Sequence, residues 1–189
     1  MKKLPIPLIY SRVLLGVLIT LIAFSNPENS GYTIVSLMLL GILSDVFDGV
    51  VARKLNVDTE RIRILDSNVD MFFWGACLTS IFIINKEFVI QNLTLILIVV
   101  ALEIIAYIVS FSRFKKTIAT HTYLAKAWSI FLFLFLSELV LTHESIYFFN
   151  LVIWIGILSR LEIILILLLT KQWVIDVPSV FSLKFKKQH

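Results

Sequence analysis

Apolar residues run along the chain in six long blocks parted by short polar stretches. The blocks cover approximately residues 6–24, 32–52, 64–84, 88–110, 122–141 and 146–170. Each is close to the ~20 residues needed to cross roughly 30 Å of hydrocarbon. In lipid every backbone N–H and C=O must be satisfied inside its own segment, so each block predicts a helix. The connections are short. They predict one compact all-α bundle of six transmembrane helices, a single membrane-embedded domain over 1–189 with a basic tail at about 171–189. Met1-Lys2-Lys3 ahead of an apolar run resembles the start of a secretory signal. The run from Ile6 to Phe24 is longer than a signal core, however, and Arg12 interrupts it, so it is expected to stay in place as the first helix.

Composition agrees with this pattern. Hydrophobic residues make up 59% of the chain and charged residues 16%, against roughly 25% charged in an ordinary soluble domain. The mean hydropathy is +0.94. A soluble protein of this size could not hide so much apolar surface, whereas a bilayer covers it. The single cysteine, Cys77, sits in an apolar run, and His121, His143 and His189 are scattered. Neither set has zinc-ligand spacing, which argues against a zinc enzyme.

The net charge of +4 raises the question of nucleic acid, and its distribution answers it. Lys2, Lys3, Arg53, Lys54, Arg61, Arg63, Arg113, Lys115, Lys116, Lys171, Lys184, Lys186 and Lys187 fall on one side of the predicted bundle, and only Lys86 falls on the other. That bias reads as membrane orientation with both termini cytoplasmic, and as contact with anionic lipid rather than nucleic acid.

Three basic residues remain inside the blocks: Arg12, Lys126 and Arg160. They share the cytoplasmic half of the predicted bundle with Glu103 and Glu162, whereas Glu138 lies near the other end. Ionisable groups in a membrane are costly and usually face a bundle interior or a wet cavity. Their common depth predicts a polar cavity open to the cytosol. Snorkelling to the interface is the competing explanation. It suits Lys126, suits Arg12 as well as a cavity does, and does not suit Arg160.

The chemistry concentrates in Asp45-Val46-Phe47-Asp48-Gly49-Val50-Val51-Ala52-Arg53 and Asp66-Ser67-Asn68-Val69-Asp70. On a helix, positions 45, 48, 49, 52 and 53 share one face, and so do 66 and 70. The second helix ends where the third begins, so all four carboxylates are expected at one depth. Packed together they would repel, unless their protons return or cations neutralise them. Hard divalent ions take oxygen ligands. Two of them would cancel four charges and could clamp the attacking and leaving oxygens of a phosphoryl displacement. Gly49 and Ala52 leave room for a ligand against the helix backbone, and Arg53 can meet a phosphate. Helix-end charge alone could account for Asp66, near a helix N-terminus, but not for Asp45 and Asp48, near a C-terminus where carboxylates are disfavoured.

The segment resembles the signature of the CDP-alcohol phosphotransferase family: Asp, two residues, Asp-Gly, two residues, Ala-Arg, a spacer, Gly, three residues, Asp, three residues, Asp. Seven of its eight fixed positions match. Ile62 stands where the family has glycine. The opening Ile6-Pro7-Leu8-Ile9-Tyr10-Ser11-Arg12 also looks like the family's approach to its first helix.

The resemblance implies a six-helix membrane enzyme with a cytosol-facing site and two divalent cations, Mg2+ or Mn2+. By resemblance Asp45, Asp48, Asp66 and Asp70 would hold the metals, and Asp70 would also take the proton of the acceptor hydroxyl. Gly49 and Ala52 would contact the nucleotide, beside Asp45, Arg53 and Ile62. The donor would be a CDP-linked lipid, CDP-diacylglycerol in a bacterial cytoplasmic membrane. The acceptor would be a polar alcohol, CMP would leave, and a homodimer is in keeping with the family. Depth and charge add Arg113, Lys126 and Arg160 as ligands for an anionic acceptor. Two other classes fit parts of the pattern: a cation- or proton-coupled transporter, and an inactive relative serving as a membrane scaffold. Transport sites tend to lie at the midplane on broken helices, whereas these acids crowd one surface.

Overall fold

The structure, a computed structural model, describes residues 5–25, 30–54, 60–118, 120, 122–174 and 177–185; within these ranges the side chains of 5, 6, 48–54, 60, 61, 63, 184 and 185 lie outside the description. Every long element is a helix: α1 Pro5–Ser25, α2 Gly31–Lys54, α3 Glu60–Ile84, α5 Leu93–Phe114, α6 Tyr123–Thr142 and α7 Phe149–Leu169, with a short α4 at Lys86–Gln91 and a 3-10 turn at Val180–Phe185. The six long helices answer to the six predicted blocks. Among the described residues, α1, α3, α5, α6 and α7 are long and apolar enough to cross a membrane. In α2 the described side chains extend to Phe47, and over those residues alone the helix is apolar from Gly31 to Phe47.

Several boundaries shift by a few residues from the sequence expectation, and two of the differences have a visible cause. The fourth block, expected at 88–110, is divided: α4 stops at Gln91, and α5 starts at Leu93 and runs on to Phe114. Asn92 makes the break. Asparagine favours helix ends over interiors, and its carbonyl accepts an early bond of α5, from the Ile96 N–H at 3.2 Å. The last helix begins at Phe149 rather than 146, where the Ser145 hydroxyl accepts the Phe149 N–H at 3.1 Å.

The chain forms two compact units. One comprises residues 1–88 with 136–144, and the other 89–135 with 145–189. In the first, α1 packs on α2 and α3. Each of these helices is apolar all round, so buried and lipid-facing stripes are told apart by packing rather than polarity. Ile9, Arg12, Gly16, Ile19 and Ala23 form the inward stripe of α1, while Tyr10, Leu14, Val17, Leu21 and Phe24 stay exposed, as residues facing lipid do. On α2 the inward stripe is Ile34, Met38 and Gly41; on α3 it is Val69, Phe73, Cys77 and Ile81. Gly41 sets the α2–α3 approach. A Cβ there would stand 2.3 Å from the Phe73 ring, and that ring is fully buried, so only glycine admits it.

In the second unit α5 packs on α7 through Ala106, Ile163 and Leu167, with Ile118 beside them. The segment after α7, expected as a basic tail at about 171–189, is held to the rest of this unit where it is described. The Trp173 indole donates to the Thr117 carbonyl at 2.9 Å, and Pro178 O accepts the Tyr123 N–H at 2.9 Å. The Lys116 ammonium lies over the Trp173 ring.

Candidate metal centre

Followed to one end, the three inward stripes of the first unit change from apolar to charged. One turn beyond Gly41 on α2 comes Asp45, and one turn before Phe73 on α3 come Asp70 and then Asp66. On α1 the stripe itself contains Arg12. Helical spacing thus carries three carboxylates and a guanidinium to one point. Arg12 Nη1 donates to Asp45 Oδ1 at 3.0 Å and also to Asp70 Oδ1, and Nη2 donates to Asp66 Oδ1. Beside them the Ser11 and Ser44 hydroxyls lie 3.0 Å apart and both donate to the Leu8 carbonyl, which ties α1 to α2 at this level.

Burial divides the cluster into two sides. The Arg12 side chain is 1% exposed, whereas those of Asp45, Asp66 and Asp70 are 45%, 26% and 28% exposed. The cation lies on the protein side, and the carboxylates turn an open side outward. The sequence left Arg12 between a cavity and snorkelling, and its burial decides against snorkelling. It is the site residue that sequence reasoning missed. The available signal was its place in Tyr10-Ser11-Arg12 at the depth expected for the aspartates.

The cluster fits a hard divalent cation by its own chemistry. One carboxylate oxygen from each of Asp45, Asp66 and Asp70 can be chosen so that all three lie within 4.8 Å of one another. Oxygen ligands 2.0–2.6 Å from a common ion stand about that far apart or closer. Three carboxylates facing one guanidinium also leave an excess of negative charge on the open side. Asp48, Gly49, Ala52 and Arg53 lie on α2 as expected, but their side chains are outside the described residues.

Ile62 is half-buried and lies one helical turn before Asp66, because α3 already begins at Glu60. The helix is continuous from Ile62 into Asp66.

The three acceptor candidates belong to the second unit and have different surroundings. Arg160 is buried on α7. Its guanidinium pairs with Glu103 of α5, lies 4.3 Å over the Trp128 ring, and donates to the Ser159 hydroxyl at 3.3 Å. Glu162, two residues on, turns away and accepts the Val180 N–H at 3.2 Å. Arg113 donates to the Leu168 carbonyl at 2.6 Å and to the Thr170 carbonyl at 3.2 Å, which satisfies carbonyls left open at the end of α7. Lys126 is exposed on α6.

The geometry is that of an all-helical protein with membrane-spanning helices and an open cluster of three carboxylates that could hold a metal ion. The sequence model of CDP-alcohol phosphatidyltransferases matches residues 2–176, nearly the whole chain, and the chain belongs to that family. No curated protein and no solved structure matches it. Membership makes it a transferase of substituted phosphate groups with a part in phospholipid synthesis, and sets the transporter alternative aside.

Proposed function

We propose that this enzyme transfers a phosphatidyl group from CDP-diacylglycerol to a polar alcohol, with release of CMP, and that the whole chain acts as one catalytic domain. The observation that carries the reading is the convergence of Asp45, Asp66 and Asp70 on one point, in a segment with seven of the eight fixed family positions. The divalent ions, two of Mg2+ or Mn2+, would be held by Asp45, Asp48, Asp66 and Asp70 and would supply charge stabilisation on the transferring phosphoryl group. Asp70 takes the acceptor hydroxyl proton. The acceptor oxygen bonds to the β-phosphorus, the bond from that phosphorus to the bridging oxygen breaks, and the electron pair leaves with CMP. The product is a phosphodiester.

Gly49 and Ala52 let the nucleotide approach α2, with Asp45 and Arg53 as polar partners and Ile62 against the base. Arg113, Lys126 and Arg160 are the acceptor candidates. Of these Arg160 is favoured, because a buried guanidinium in a membrane helix is kept at a cost. The site faces the cytosol of a bacterial cell and both termini are cytoplasmic, which a reporter fused after His189 would read directly. The enzyme works as a homodimer, which its mass in detergent would test.

The deciding experiment is release of labelled CMP from CDP-diacylglycerol by purified protein with Mg2+ or Mn2+ and a panel of acceptor alcohols. Release that depends on one acceptor and on metal is the expected result. No release with any acceptor would favour an inactive scaffold.

Ile62 gives a second, narrower test. Ile62→Gly is expected to change the donor KM by the roughly 1–3 kcal/mol that a buried aliphatic contact is worth, about 5- to 160-fold, and to leave the acceptor KM unmoved. Unchanged donor kinetics would remove residue 62 from the nucleotide pocket.

A further inference from the structure

We infer that Arg12 is a built-in counter-cation of the aspartate cluster: it holds Asp45, Asp66 and Asp70 together from the buried side, and it opposes the divalent ions that bind the same carboxylates from the open side. The inference rests on the metal-centred reading above and adds a residue outside the aspartate signature.

Three observations support it. The Arg12 guanidinium touches a carboxylate from each of three positions on two helices, through both of its terminal nitrogens. A single side chain of α1 thereby fixes the spacing between α2 and α3 at the site. Its side chain is 1% exposed, so these carboxylates compensate its charge where water does not. The carboxylates, 26–45% exposed, remain open on the side away from it. An arginine fork suits this task because it is planar, always charged and offers several donors in fixed directions.

Charge counting gives the second half of the inference. Four aspartates and two divalent ions would balance without Arg12. With Arg12 present the same set carries one positive charge too many. The guanidinium therefore weakens the binding of metal alone and leaves the centre ready for an anionic substrate.

Two effects of removing Arg12 oppose each other. Loss of an outer partner that orients metal ligands typically costs 10–100-fold in metal affinity. Loss of a unit positive charge that shares the same carboxylates would favour a divalent ion by on the order of a thousandfold or more, even at an effective dielectric of about 20. The charge effect is the larger. Removing Arg12 should thus tighten metal binding while destabilising the metal-free protein, whose carboxylates then repel one another uncompensated. A residue that merely packs the helices together would not produce this opposite pair of changes.

The experiment uses the full chain in detergent and Mn2+ as the only probe. Mn2+ binding is titrated by the resonance signal of the free ion, and thermal unfolding is followed in chelator. Arg12→Gln is expected to bind Mn2+ at least about tenfold more tightly than the unaltered protein, and to unfold at a clearly lower temperature in chelator. Equal or weaker Mn2+ binding, or unchanged unfolding in chelator, overturns the inference and leaves the metal-centred reading standing. Should Arg12→Gln not fold, Arg12→Lys decides: it keeps the charge and loses the fork, so its Mn2+ affinity should stay equal or fall by at most the roughly 10–100-fold of a lost orienting partner. Mn2+ binding tightened about tenfold or more in Arg12→Lys rejects the counter-charge role. Absence of Mn2+ binding to the unaltered protein overturns the metal-centred reading and this inference together.

Discussion

Asp66→Asn is expected to lower CMP release by roughly 10²–10⁴-fold while the protein still inserts and accumulates. The change keeps side-chain volume and removes one charged oxygen ligand. Metal stabilisation of a transferring phosphoryl group is worth several kcal/mol, and each 1.36 kcal/mol is a factor of ten in rate. Asp45→Asn and Asp48→Asn should fall in the same range. Asp70→Asn should be as damaging to turnover but should lose less Mn2+ affinity, because its proposed second task, taking the acceptor proton, is itself worth about 10²–10⁴-fold. The same Mn2+ titration separates the two cases. If any of the four variants turns over at full rate in low metal, that residue loses its assigned role. Insertion should survive because Asp66 is one of three carboxylates on Arg12, so its loss leaves the guanidinium two partners.

These assignments could be read from the sequence because helical spacing is a local property. Positions 45 and 48, and 66 and 70, lie on one face of any helix that contains them. The six apolar blocks were equally legible, since length and apolarity fix a spanning helix without reference to its neighbours. The rotation of each helix about its axis was not legible. In an ordinary amphipathic helix the polar stripe gives the rotation away. On α1 both stripes are apolar, and the inward one is picked out by close packing, with Gly16 against Ala76 and Phe72. Without that rotation, Arg12 at its depth suited snorkelling as well as a cavity. Its convergence with the aspartates depends on a contact between residues 33 and more positions apart.

The same holds for Arg113. Depth and charge made it an acceptor candidate, but its bonds to the carbonyls of Leu168 and Thr170 join two helices far apart in sequence. The hold on the segment after α7 was not legible for a related reason. Trp173 donates to the Thr117 carbonyl, and the Val174 and Pro178 carbonyls accept from Thr120 and Tyr123, so every bond uses a backbone carbonyl that no side-chain pattern reports. The break at Asn92 is marked only by the pair Gln91-Asn92 in an otherwise largely apolar run, too little to separate α4 from α5.

The second large effect should come from a residue with no polar atom in its side chain. Gly156→Ala is expected to raise the acceptor KM in the direction of Arg160→Gln, leaving the donor KM unchanged. A Cβ at Gly156 would stand 2.6 Å from the Trp128 Nε1 and 3.2 Å from its Cδ1, so the indole must move. That ring is rigid and is held by its bond to the Val152 carbonyl at 3.1 Å. Overpacking of this kind typically costs 1–3 kcal/mol. The indole is also the surface on which the Arg160 guanidinium lies, 4.3 Å from the ring centre. Displacing it disturbs a buried charge that Glu103 and the Ser159 hydroxyl would then orient without it. Arg160→Gln should have the larger effect, because it removes the buried guanidinium itself rather than the ring on which it lies. Kinetics with the acceptor and the donor varied separately would check both variants, with detergent-solubilised unfolding as the control for stability. If Gly156→Ala lowers stability by the expected amount but leaves the acceptor KM where it was, Trp128 does not position Arg160 for the acceptor. If Arg160→Gln moves the donor KM instead, the acceptor assignment itself is wrong, and the guanidinium–Trp128–Glu103 group is a structural tie between α5, α6 and α7.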